Sequence, residues 1–136
     1  MWYNTFMNKE DCVIYIGEYY KIEWYYDRSG YSQAYEFFLG LDNERRRKFL
    51  ILVKRIGDAG KINDKTKFRN EDDQIYTFKP QPDRFLCFFF TGKKIIVTNA
   101  FTKKSQKLPG REKKRSMECR KDYEIRVKED GNEDDI

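Results

Sequence analysis

Lys103 and Lys104 close an apolar run (Ile95-Ile96-Val97, then Ala100-Phe101) and open a stretch dense in cations. Residues 102–121 hold nine Lys or Arg against two acids, a net charge of +7. Lys79 and Arg84 flank a second break, Pro80-Gln81-Pro82-Asp83, and Arg84 heads the nearly continuous apolar run RFLCFFFT. Cations delivered to the rim of a sheet bind anions with a geometry that a floppy tail lacks, while the plainer account of a charge run is a solvated face. A charged group opening a buried strand needs a reason. For Arg84 that reason is an anionic ligand, or pairing with Asp83 or another nearby acid. The chain contains no histidine. That removes the commonest general base, the commonest zinc ligand and every Ser-His or Cys-His pair. Any catalysis must use lysine, arginine, tyrosine or carboxylates.

The elements that would position these groups come from one domain. Of 136 residues, 39% are hydrophobic and 17% aromatic, enough for a core despite 38% charged residues. No run approaches the ~20 apolar residues of a membrane span, and no signal peptide is evident, so a cytoplasmic location without membrane contact is expected. Cys12, Cys87 and Cys119 are odd in number and lack metal spacing, which predicts buried free thiols and no metal site. Residues 128–136 carry five acids against one base.

Alternation over residues 18–26 predicts a strand with Tyr20, Ile22, Trp24 and Tyr26 on one side. Ser32 can cap a short helix over 33–39, and Asp42 a second helix to about Ile56, with Phe49, Leu52, Val53 and Ile56 inward. A polar loop follows, ending at Gln74. Strands are then expected at 75–79, 84–91 and 94–101, the last two joined by a tight hairpin at Thr91-Gly92-Lys93. Pro109 suits the first turn of a final helix to about Arg126. The order β-α-α-β-β-β-α predicts an α+β domain: a small, mainly antiparallel four-stranded sheet with two N-terminal helices and one C-terminal helix. Whether Lys79 and Arg84 share an edge with Lys103 depends on register.

Between about Tyr20 and Arg126 the chain resembles the RelE/ParE superfamily of toxins from bacterial toxin–antitoxin modules, in particular its phage-derived, HigB-like branch. The matching pieces are DRSGYSQAYEFFLGL (27–41), IYTFKP (75–80), RFLCFFF (84–90), NAFTKKSQKLP (99–109) and RKDY ending at Tyr123. The resemblance implies a RelE-like toxin domain over residues 18–126; residues 1–17 have no counterpart in it and form an N-terminal extension, and residues 127–136, also without a counterpart, are expected from their charge to be an acidic, disordered tail. It also implies an mRNA endonuclease that cuts on translating ribosomes, inhibits translation and is silenced by a cognate antitoxin. In such enzymes the ribose 2′-hydroxyl attacks its own 3′ phosphate, with no cofactor. The implied catalytic residues are Lys79, Arg84, Lys103, Lys104 and Tyr123; Lys67, Arg69, Lys107, Arg111 and Lys114 are expected to bind RNA.

The sequence departs from that pattern at four points. Thr77 stands where the branch usually has a glutamate, and Lys79 replaces an arginine, giving a point charge for a bidentate fork. Lys113 and Ser116 replace an apolar residue and an alanine, which predicts a last helix packed less well or turned more toward RNA. Two other functions stay open: a ParE-like gyrase inhibitor on the same fold, and a non-cleaving RNA-binding relic.

Overall fold

The short helix forms where the sequence places its cap. The hydroxyl of Ser32 accepts from the Tyr35 amide, and α1 spans Gln33–Leu39. Asp42 caps α2, Asn43–Ala59, by accepting from the Arg45 amide, and Gly60 ends it in the left-handed conformation. The computed structural model describes residues 9–134, with side chains for 11–131. A 3₁₀ turn, Lys9–Cys12, leads into β1, Val13–Ile16, and β2, Lys21–Trp24. After the helical pair come β3, Phe68–Asn70; β4, Tyr76–Phe78; β5, Asp83–Phe90; and β6, Lys94–Thr102. The last helix, α3, is Gly110–Asp134.

The class is α+β as expected, but the sheet is larger and mixed. Six strands run in the order β1-β2-β6-β5-β4-β3. Every neighbouring pair is antiparallel except β2 with β6, which is parallel. Two strands were not foreseen, for different reasons. β3 is only FRN, too short and polar to show alternation within a segment expected to be loop. β1 falls inside the expected N-terminal extension, of which residues 1–8 lie outside the described residues; Val13–Ile16 joins the sheet as an edge.

Helix α2 runs past its expected end because Gly57 is a contact surface. A Cβ on Gly17, in the β1–β2 turn, would lie 2.2 Å from the Gly57 backbone. The Gly57 carbonyl accepts from the amides of Tyr19 and Tyr20 at 2.7 and 3.1 Å. Helix α3 likewise continues to Asp134, so the acidic segment expected to be disordered is helical through Asp134. Asp122 and Glu129 tie it to Arg28 beside β2.

Each face of the sheet carries its own core. Ile22, Trp24, Phe85 and Val97 pack against Phe49 and Val53 of α2, with Phe49 stacked on Phe85. Tyr25, Leu86, Phe88 and Ile96 form a smaller cluster against Cys119 and Tyr123 of α3. Alternation therefore divides β5, sending Asp83, Phe85 and Cys87 toward α2 and Arg84, Leu86 and Phe88 toward α3. Cys87 and Cys119 are free thiols. Among the described residues no helix is long and apolar enough to cross a membrane.

Candidate anion-binding groove

Register brings the separated cations together. Arg84 lies opposite Phe101, and the Lys103 amide donates to the Pro82 carbonyl at 2.9 Å, fixing the end of β6 against the turn before β5. Arg69 lies opposite Thr77, two residues before Lys79. The first turn of α3 closes the remaining side. The result is a groove of about 260 Å³ lined by six cations, Arg69, Lys79, Arg84, Lys103, Lys107 and Lys113, against one carboxylate, Glu71. The N-terminal end of α3 adds its partial positive charge.

Arg84 is the unusual member. It is 7% exposed, yet among the described residues its guanidinium meets no carboxylate. Its Nη1 donates to the Asp83 carbonyl at 2.9 Å, and both Nη atoms reach Gln81 Oε1 at 3.3 Å. The neighbouring acid is occupied elsewhere: Asp83 points to the other face, where Arg45 binds both its oxygens and Thr102 donates to it. Burial pushes the Arg84 pKa down, with the charges of Asp83 and Glu71 opposing. Burial also lowers Lys79, helped by Arg84, Arg69 and Lys103 and opposed by Glu71. A buried guanidinium without a counter-ion, beside an ammonium biased toward losing its proton, is an arrangement completed by an anion.

A larger cavity, about 460 Å³, opens on the other flank of α3. There Arg115 faces Asp27 and Glu118 among Tyr25, Tyr31 and Cys119. Its mixed charge gives a phosphate little reason to prefer it.

A family model described as "Phage derived protein Gp49-like (DUF891)" matches residues 36–121, from within α1 to the middle of α3. The chain belongs to this family. No curated protein matches the chain. The matched segment contains every residue lining the groove, whereas the larger cavity draws Tyr25, Asp27, Tyr31 and Gln33 from before it.

Within this Gp49-like chain the expected site residues divide. Lys79, Arg84 and Lys103 of the implied catalytic set line one groove, joined by Arg69 and Lys107 from the implied RNA-binding set. Lys104, one residue past Lys103, is exposed and does not line it. Lys67 stays outside but pairs by backbone with Lys79, its carbonyl accepting at 2.8 Å. Arg111 and Lys114 are exposed on α3 beside the groove. Tyr123 is not brought to it. Ten residues along α3 from Lys113, roughly 15 Å, its ring packs edge-on against Phe88 and Phe90. Burial, with Glu23 and Cys12 adding, raises its hydroxyl to about 12.

Two charged residues lining the groove, Lys113 and Glu71, were not among the expected ones. Lys113 lines the wall and holds Asp73 at 2.8 Å. Ser116 turns the other way, fully buried with its hydroxyl 2.6 Å from that of Thr98. The helix thus both packs and faces the groove. Glu71 returns a carboxylate to the neighbourhood of Thr77, which donates to its Oε2 at 2.7 Å. Its sequence signal was the Arg69-x-Glu71 alternation, readable only once β3 is known.

Proposed function

We propose that this Gp49-like protein is the toxin of a bacterial toxin–antitoxin module, an endoribonuclease that cleaves messenger RNA on the ribosome and so stops translation. The observation that carries the reading is the buried Arg84 fork, without a carboxylate partner, in a groove of six cations. A phosphodiester in that groove would receive a bidentate donor from Arg84 and point charges from Lys79 and Lys103. Those groups stabilise the charge that builds on a pentavalent phosphate as the 2′-hydroxyl attacks. A chain without histidine gains most from a substrate already oriented, which the ribosome supplies. The family's phage derivation and the resemblance of the strand-end lysines to toxin sequences support the same reading. The site of action would be the cytoplasm. An acidic antitoxin would cover the cations between episodes of activity.

Mapping transcript ends shortly after induced expression tests this. New 5′ ends should appear inside coding regions of translated messages, while purified protein cuts free RNA poorly. Intact messages with altered DNA supercoiling would favour gyrase inhibition instead. RNA bound but never cut would make the chain a non-cleaving relic.

A further inference from the structure

The nucleolytic reading leaves open which group takes the proton from the ribose 2′-hydroxyl. Tyr123 is packed away from the groove. Lys79 and Lys103 line the groove as ammonium groups, which have protons to donate and no lone pair to accept one. We infer that Glu71, the sole carboxylate lining the groove among the described residues, is the proton acceptor, held in position by Thr77. This inference rests on the ribonuclease reading.

Three features carry it. The side chain of Glu71 is 13% exposed, and its two oxygens are differently engaged. Oε2 accepts from Thr77 Oγ1 at 2.7 Å, while Oε1 is 3.7 Å from Arg69 Nε, too long for a hydrogen bond. A carboxylate oxygen so fixed keeps lone pairs for a substrate hydroxyl. Second, the backbone after Glu71 is unusual. Asp72, Asp73 and Gln74 have φ of 72°, 55° and 65°, three successive non-glycine residues in the left-handed region. Such a run persists only where the surroundings impose it. Here Lys113 grips Asp73 at 2.8 Å, and Arg120 donates to the Asp73 carbonyl at 3.2 Å. Helix α3 thus holds the loop that presents Glu71. Third, a lone acid in a basic groove weakens phosphate binding, so its presence there has to be repaid by chemistry.

The step balances without a co-reactant. The 2′-hydroxyl proton passes to Glu71 as the 2′ oxygen bonds to the adjacent phosphorus. The bond from phosphorus to the 5′ oxygen breaks, its electron pair leaving with that oxygen, which takes a proton from Lys79. Burial and neighbouring cations lower the Lys79 pKa, easing that donation. The products are a 2′,3′-cyclic phosphate and a free 5′-hydroxyl.

The test is single-turnover cleavage of a ribosome-bound message, with RNA affinity and the pH profile measured on the same preparations. Glu71→Gln should lower the rate by ~10²–10⁴-fold, the usual contribution of a positioned base. It should bind RNA as tightly as the parent or more so, and lose the rise in rate with pH on the acid side. The charged groups that face Glu71 are Arg69, Lys79, Arg84 and Lys113. Thr77→Val keeps the volume and frees the carboxylate; it should cost about tenfold in rate at unchanged affinity. If Glu71→Gln cleaves within twofold of the parent, Glu71 is not the base. Should that variant fold poorly, Thr77→Val decides, and a full rate there overturns the inference. A parent protein that leaves the message intact removes the ribonuclease reading and this one together.

Discussion

At the scale of single residues, the groove is an exception to how this chain treats charge elsewhere. Asp83, more deeply buried, is held by Arg45 and Thr102. Glu112, beneath the first turn of α3, accepts from Asn99 at 3.0 Å. Among the described residues, Arg84 alone is a buried charge facing only a carbonyl and an amide oxygen. An uncompensated buried cation costs stability, and sites shaped for function commonly carry such a cost. Arg84→Met, similar in length and apolar, should therefore raise stability by about 1 kcal/mol, seen as a Tm higher by a few degrees. The same change should cost ~10²–10³-fold in cleavage, as expected for losing one transition-state contact. A variant with lowered Tm would show that Arg84 is a structural residue. The sequence marked Arg84 as needing a partner but left Asp83 open as that partner. Strand alternation closes the question, because adjacent residues of β5 face opposite sides of the sheet.

At the scale of elements, legibility followed the strength of the local pattern. Helices α1 and α2 were readable because a capping side chain and a 3.6-residue apolar stripe coincide at each. β5 and β6 were readable because they are long and apolar. β1 and β3 owe their existence to pairing with neighbours, and a pattern of three or four residues does not announce that. The site suffered for the same reason. Lys79, Arg84 and Lys103 could be named, but Glu71 needed β3, and the exclusion of Tyr123 needed the path of α3. That path is fixed partly by Asp122, which accepts from the Tyr25 hydroxyl at 2.6 Å and from Arg28 at 3.2 Å, and pairs with Arg126 at 2.9 Å. Burial acts to raise the Asp122 pKa, but these partners outweigh it and hold the carboxyl below its ordinary value. A depressed carboxyl contributes stability above its unfolded pKa of ~3.9 and loses that contribution as pH falls through the folded value. Asp122→Asn should therefore lower Tm at pH 7 by roughly 3–6 °C, about 1 kcal/mol for charge-assisted bonds. In thermal melts near pH 2 the variant and the parent should converge. An equal gap at both pH values would mean that Asp122 acts through shape and not charge.

At the scale of the whole molecule, charge is separated along one rigid helix. Helix α3 starts at Gly110, sets Lys113 in the groove wall and ends among the acids of residues 129–134. Glu129 lies sixteen residues beyond Lys113, ~24 Å at 1.5 Å per residue, and is anchored at that end by Arg28, 3.4 Å away. The acidic end therefore cannot fold back over the groove while the helix is intact. Its influence on bound RNA is electrostatic only. Across ~24 Å of water, one acid repels one phosphate by ~0.2 kcal/mol before screening. With a Debye length of ~10 Å at 0.1 M salt, about a tenth of that survives; at 0.01 M, with ~30 Å, nearly half does. Deleting residues 128–136 should thus change RNA affinity by less than about twofold at 0.1 M and tighten it several-fold at 0.01 M. Steady-state binding to a short single-stranded RNA across that salt range measures both, with circular dichroism to confirm that the shortened helix stays folded. A large gain in affinity already at 0.1 M would mean that the acidic end reaches the groove, and that α3 unwinds beyond Arg126 to let it.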